Sequence, residues 1–128
     1  MLISFKQLKQ KYNMNISGVI HIGAHFGQEA EDYIGEGITE MVFFEPLAES
    51  LKILEEHLSY VAMDVNIMIY PVALGNETKD VEMYVSNRDR MCSSILKPKV
   101  VLEQYPDITF DERETVEMMR LDDTDLEF

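Results

Sequence analysis

The apolar positions of this chain change spacing several times, and the changes mark its elements. Ser4 followed by Gln7 has the spacing of a capping box. Phe5, Leu8 and Tyr12 then fall near one face of a short helix, which Asn13 and Asn15 end. The run Gly18-Val19-Ile20-His21-Ile22-Gly23 is mostly apolar and bounded by glycines, which predicts a strand buried on both faces of a parallel sheet. Between Gly27 and Gly35 the spacing of Ala30, Tyr33 and Ile34 is helical, with Gly35 and Gly37 as stop signals. Glu40 to Phe44 predicts a second strand. Pro46 suits the first position of a second core helix, in which Leu47, Leu51, Leu54 and Leu58 form one apolar stripe.

Beyond it, Ile67 to Leu74 predicts a third strand, Gly75 to Asp80 a polar turn, and Val81 to Val85 a fourth strand able to close a hairpin with the third. Asn87 to Ser94 reads as a loop, Pro98 to Tyr105 as a short helix and Thr115 to Leu121 as a last, weakly alternating strand. Strands separated by helices in this order predict a doubly wound α/β sheet. The 128 residues leave room for one domain, and 46% hydrophobic with 27% charged residues is the composition of a packed globular chain.

Charge narrows the partners. The formal net charge is -13, and the eighteen residues from Asp111 to Phe128 hold eight carboxylates against Arg113 and Arg120. Such a surface repels polyanions, so the chain is not expected to bind nucleic acid. Lys6, Lys9 and Lys11 read as the solvated face of the first helix. Cys92 is the single cysteine, which excludes an intrachain disulfide and points to the cytoplasm. Met1 to Tyr12 lacks the apolar stretch of a signal peptide, and no segment has the roughly 18 apolar residues of a membrane span.

The candidate chemistry lies in Gly23-Ala24-His25-Phe26-Gly27, between an apolar strand and a helix. Glycines there permit a tight turn and a close ligand approach. The spacing is Gly-x-x-x-Gly and not the Gly-x-Gly-x-x-Gly of dinucleotide sites, so the turn suits an amino acid and a ribose better than a pyrophosphate. Glu45 ends the second strand, 22 positions after Gly23, where a carboxylate can accept hydrogen bonds from ribose hydroxyls. His21 and His25 are four apart but straddle a strand-to-turn junction, so no metal site is expected, and His57 falls on the polar side of its helix. Cys92 has no base paired with it by any motif.

Together these residues resemble the FkbM-type S-adenosylmethionine-dependent methyltransferases. The similarity runs through Val19-Ile20-His21-Ile22-Gly23-Ala24-His25-Phe26-Gly27-Gln28-Glu29, then Val42-Phe43-Phe44-Glu45-Pro46, then Val72-Ala73-Leu74-Gly75. Cys92-Ser93-Ser94-Ile95-Leu96 and Leu121-Asp122-Asp123 follow in the family's order. His21 and His25 stand where many members carry Asp and Asn, although a His-containing subgroup is similar. The strand that follows the Leu-Asp-Asp in the family is missing before Phe128, so the resemblance implies a Rossmann-like class I methyltransferase domain, residues 1–128, incomplete at its carboxy end.

What the resemblance implies is a donor pocket for S-adenosyl-L-methionine formed by Gly23, Ala24, His25, Gly27 and Glu45, with Ala73 and Leu74 flanking the adenine. The methyl acceptor is then a small molecule or glycan, through a sugar or natural-product hydroxyl. His25, His21 and Asp122 are the available bases, and Ser93 and Ser94 are candidates to cap the pocket or solvate a loop. Two other readings stay open: a dinucleotide-dependent oxidoreductase, and a non-catalytic binding module whose open sheet edge would favour a homo-oligomer.

Overall fold

A computed structural model describes residues 3–61, 64–87, 93–98 and 103–127. Helix α1 (Phe5–Lys11) opens on the expected capping box: the Gln7 amide donates to the Ser4 hydroxyl, and the Gln7 side chain accepts from the Ser4 amide. Strand β1 (Gly18–Ile22), helix α2 (Ala30–Gly35), strand β2 (Glu40–Phe44), helix α3 (Ala48–Val61) and strand β3 (Asn66–Tyr70) follow. The three strands form a parallel sheet in the order β1-β2-β3, with Ile20, Val42 and Met68 in register.

A period of two sends alternate residues to opposite faces. Met41 and Phe43 of β2, with Val19, Ile67 and Ile69 beside them, pack under the helices against Ala30 and Tyr33 of α2 and Leu54 and Leu58 of α3. Phe5 of α1 meets the Tyr33 ring edge-on at 5.0 Å. The Lys9 ammonium donates to the Glu36 carbonyl at 2.9 Å and so ties α1 to the end of α2.

The other face is different. Ile20 is 38% exposed and Ile22 59%, so β1 is not buried on both faces as its unbroken apolar run predicts. The helix contacts described all lie on the first face, and the outer edge of β1 has no strand partner among the described residues. The expectation of a doubly wound sheet is therefore met on one side only: the chain is α/β, with a small parallel sheet and three α-helices among the described residues.

The expected third strand, Ile67 to Leu74, is two strands. Pro71 has no amide hydrogen to donate, so β3 stops at Tyr70. Ala73–Leu74 form β4 in a second sheet of order β4-β6-β5, with β5 at Lys79–Val85 and β6 at Glu112–Met119. The expected hairpin between the third and fourth strands is corrected with it, because β5 pairs antiparallel with β6, Val81 facing Val116. Leu47 packs against Met83, Val85 and Val116, which seats the second sheet at the β2–α3 turn. The chain then closes on a 3-10 turn, Leu121–Asp123. Most of the expected loop from Asn87 to Ser94 and half of the expected helix from Pro98 to Tyr105 lie outside the described residues.

Gly75 is where β4 crosses Met118. A Cβ there would stand 2.2 Å from the Met118 sulfur and 2.8 Å from its Cγ, and Met118 is only 3% exposed. Because a methionine side chain can rearrange, Gly75→Ala is expected to cost only about 1 kcal/mol, read from the urea midpoint.

Candidate functional site

The carboxyl ends of β1 and β2 and the start of β4 surround a cavity of about 210 Å³. Ligands of α/β sheets collect at this end because the strand-to-helix turns open there and expose backbone donors. Gly23 and His25 line the cavity from the β1–α2 turn, Glu45 from the β2–α3 turn, and Ala73 and Leu74 from β4. Five of the residues expected to form a donor pocket thus meet in one place, joined by Ser93.

Glu45 joins the two turns. It is 5% exposed, and its carboxylate accepts the His25 amide at 2.7 Å and the Leu47 amide at 3.1 Å. Gly23 and Ala24 both donate their amides to the Phe44 carbonyl, at 2.9 and 3.0 Å, which turns the chain sharply after β1. Gly23 has φ of 74° and His25 a φ of 52°. The left-handed region is costly for a side chain such as histidine, and the Glu45 bond to its amide offsets that cost.

Burial pushes the Glu45 carboxyl above the ordinary carboxylate range. The amides of Leu47 and His25 and the charge of His25 pull in the other direction, and Glu114 adds to the rise. Glu114 itself accepts the Ala48 amide at 2.9 Å. The first donors of α3 are therefore occupied by the chain's own carboxylates, and α2 carries Glu31 and Asp32 in its first turn behind Glu29. Carboxylates that bind the entrance amides, as at α3, or stand in the first turn, as at α2, disfavour phosphate.

Two expected pocket residues lie elsewhere. Ala24 is 1% exposed and belongs to the core under the helices. Gly27 is buried against α3, where an added Cβ would meet Leu54, so its lack of a side chain serves packing, and it does not line the cavity. His21 lies on the helix side of the sheet, its Nδ1 2.8 Å from the Tyr33 hydroxyl and its ring stacked on Phe43, and it does not line the cavity. Asp122 is exposed and paired with Arg120 at 3.0 Å, also outside the cavity. Of the candidate bases only His25 stands at the cavity, with its ring stacked on Phe26 at 3.6 Å and its Nδ1 2.9 Å from the Gln28 side-chain nitrogen. Ser94 pairs with Tyr84 through its backbone, its hydroxyl accepts the Leu96 amide, and it does not line the cavity. His57 faces Glu31 at 3.6 Å. Cys92 lies outside the described residues.

The apolar wall was not expected from the sequence. Ile22 and Phe44, in register at the ends of β1 and β2, line the cavity with Leu47, Met83 and Ile95. Ile22 and Phe44 immediately precede Gly23 and Glu45, and that adjacency was a usable signal. Met83 and Ile95 arrive through the second sheet and carried none.

Among the described residues no group of three or more His, Cys, Asp or Glu could hold a metal ion, and no helix is long and apolar enough to cross a membrane. Neither a protein-family model, nor a curated protein, nor a solved structure matches the chain.

Proposed function

We propose that the cavity is the donor site of a Rossmann-like class I methyltransferase and that it takes S-adenosyl-L-methionine. The observation that carries this is the position of Glu45, a carboxylate at the end of a parallel strand that bridges two turns and opens on an apolar cavity. Its two oxygens offer about four acceptor positions, and the two amide bonds leave capacity for the two hydroxyls of a ribose. Ile22, Phe44 and Leu74 give an apolar surface for a purine. At about 210 Å³ the cavity is smaller than the roughly 300 Å³ at which drug-sized sites begin, so it fits the nucleoside end of the ligand.

When bound, the donor supplies an electrophilic methyl group on sulfur. The chain's own part is mainly positioning, since in-line displacement requires the reacting atoms about 3 Å apart and aligned. Glu45 would hold the ribose and the β1–α2 turn the amino-acid portion, and His25, the one described histidine that lines the cavity, would take the proton of an acceptor hydroxyl. The acceptor class, a sugar or natural-product hydroxyl, comes from the family resemblance, and the cytoplasm from the single cysteine.

The carboxylates at the entrances of α2 and α3 weigh against the dinucleotide-dependent oxidoreductase, because a pyrophosphate would meet like charge at both. A binding module without chemistry is the second reading, favoured by the position of Asp122 outside the cavity. Isothermal titration separates these readings. Saturable heat with S-adenosylhomocysteine and none with NAD is the expected result, whereas binding of NAD alone, or of neither by a folded chain, would overturn the donor site. Methyl transfer to a panel of glycosides then distinguishes the enzyme from the binding module.

A further inference from the structure

Two residues that flank the cavity without lining it, Tyr70 and Thr78, are both bonded to one segment near the end of the described chain. Tyr70 is the last residue of β3, and its carbonyl accepts the Glu45 amide at 3.1 Å. Its ring stacks on Phe44 at 4.9 Å between centroids and 13° between planes. The residue therefore touches both the acidic end and the apolar floor of the cavity, and its hydroxyl donates to Asp125. On the same segment Asp123 accepts the Thr78 hydroxyl at 2.8 Å, in the turn that follows β4, and the Thr124 hydroxyl closes the 3-10 turn on the Leu121 carbonyl at 2.7 Å. Gly75, next to Leu74, donates its amide to the Met119 carbonyl at the end of β6.

Residues 121–127 thus tie the first sheet, through Tyr70, to the turn after β4, through Thr78. We propose that this strap sets the spacing of the two walls of the cavity and that Tyr70, held by Asp125, is a positioning residue for Phe44 and Glu45. The inference rests on the donor-site reading for its consequence in binding, but the mechanical link is a property of the free chain. The strength of the link is bounded by exposure. The Tyr70–Asp125 bond lies at the surface, where a hydrogen bond contributes little net stability. Its loss should leave the fold intact and loosen the cavity.

The test compares Tyr70→Phe, Asp125→Ala, their combination and the conservative Asp125→Asn, in two measurements on the full chain. In the free protein, NMR should show the Phe44 ring and the Glu45 and Ala73 amides moving in Tyr70→Phe and Asp125→Ala alike. The double variant should move no further than either, and Asp125→Asn should lie near the parent because its amide oxygen still accepts. In titrations with S-adenosylhomocysteine, each single variant should bind about 3-fold more weakly and the double variant no worse, the non-additivity expected of two ends of one contact. Shifts confined to the neighbours of residue 125 would overturn the strap, as would a lowered Tm with unmoved cavity resonances and unchanged affinity. If the parent chain binds no S-adenosylhomocysteine, the donor-site reading fails while the NMR comparison still decides the strap.

Discussion

Gly27→Ala should lower stability by about 3 kcal/mol, and Gly23→Ala by only about 1 kcal/mol, although both glycines have φ of 74°. The shared backbone conformation strains any side chain by similar amounts. The difference comes from the surroundings. A Cβ on Gly27 would stand 2.6 Å from the Leu54 Cδ1, and Leu54 is fully buried in the core between α3 and the sheet. A Cβ on Gly23 would meet nothing within 4 Å. In a thermal melt the Gly27 variant should lose about 10 °C. The ranking reverses for ligand binding, because Gly23 lines the cavity and Gly27 does not. Gly23→Ala should weaken S-adenosylhomocysteine binding more than Gly27→Ala does in the fraction that remains folded. Equal losses of stability would show that Leu54 yields and that the close approach is not what requires glycine at position 27.

That contrast also shows what the sequence could and could not reveal. A glycine after a strand is visible as a turn signal, but whether it admits a ligand or a helix depends on Leu54, twenty-seven positions away. Local signals were the legible ones. The Ser4–Gln7 capping box, the leucine stripe of α3 and the β2 strand each depend on residues within one or two turns; the box and the strand stand as expected, and the stripe stands at Leu51, Leu54 and Leu58, whereas Leu47 precedes α3 and packs against the second sheet. Glu45 was legible because the end of a parallel strand is a defined place whatever surrounds it. The pairing of β5 with β6 was not, since it closes a loop of more than twenty residues and depends on the fit of Val81 and Val116. Pro71 was a legible stop that the apolar run around it obscured. Exposure failed for a third reason: an unbroken apolar strand signals two buried faces, yet Ile20 and Ile22 are open on theirs. Where the cavity is apolar, at Met83 and Ile95, nothing local distinguished a wall from ordinary core.

Glu45 combines a structural and a binding role, and pH should pull the two apart. Glu45→Ala leaves the Leu47 amide buried and the His25 amide half-buried without their acceptor, while it removes a carboxylate that burial disfavours. The net loss is expected at about 2 kcal/mol by urea denaturation. Loss of the ribose contacts should weaken S-adenosylhomocysteine roughly thirtyfold, the equivalent of about 2 kcal/mol for hydrogen bonds to a charged group. Because burial raises the carboxyl pKa in the folded chain, the folded state holds that proton to a higher pH than the unfolded state does. The contribution of Glu45 to stability therefore falls as pH rises from the ordinary carboxylate value through the raised one, and is level above it. Ligand affinity should run the other way, rising across the same window as the carboxylate ionises and becomes the better acceptor. Glu45→Gln cannot titrate and keeps one acceptor oxygen for one of the two amides. It should flatten both slopes, and relative to the parent its stability should improve as the pH is raised through the window. If the affinity of the parent chain does not change across that range while Glu45→Gln still binds weakly, the carboxylate acts only through the two turns it joins and not on the ribose.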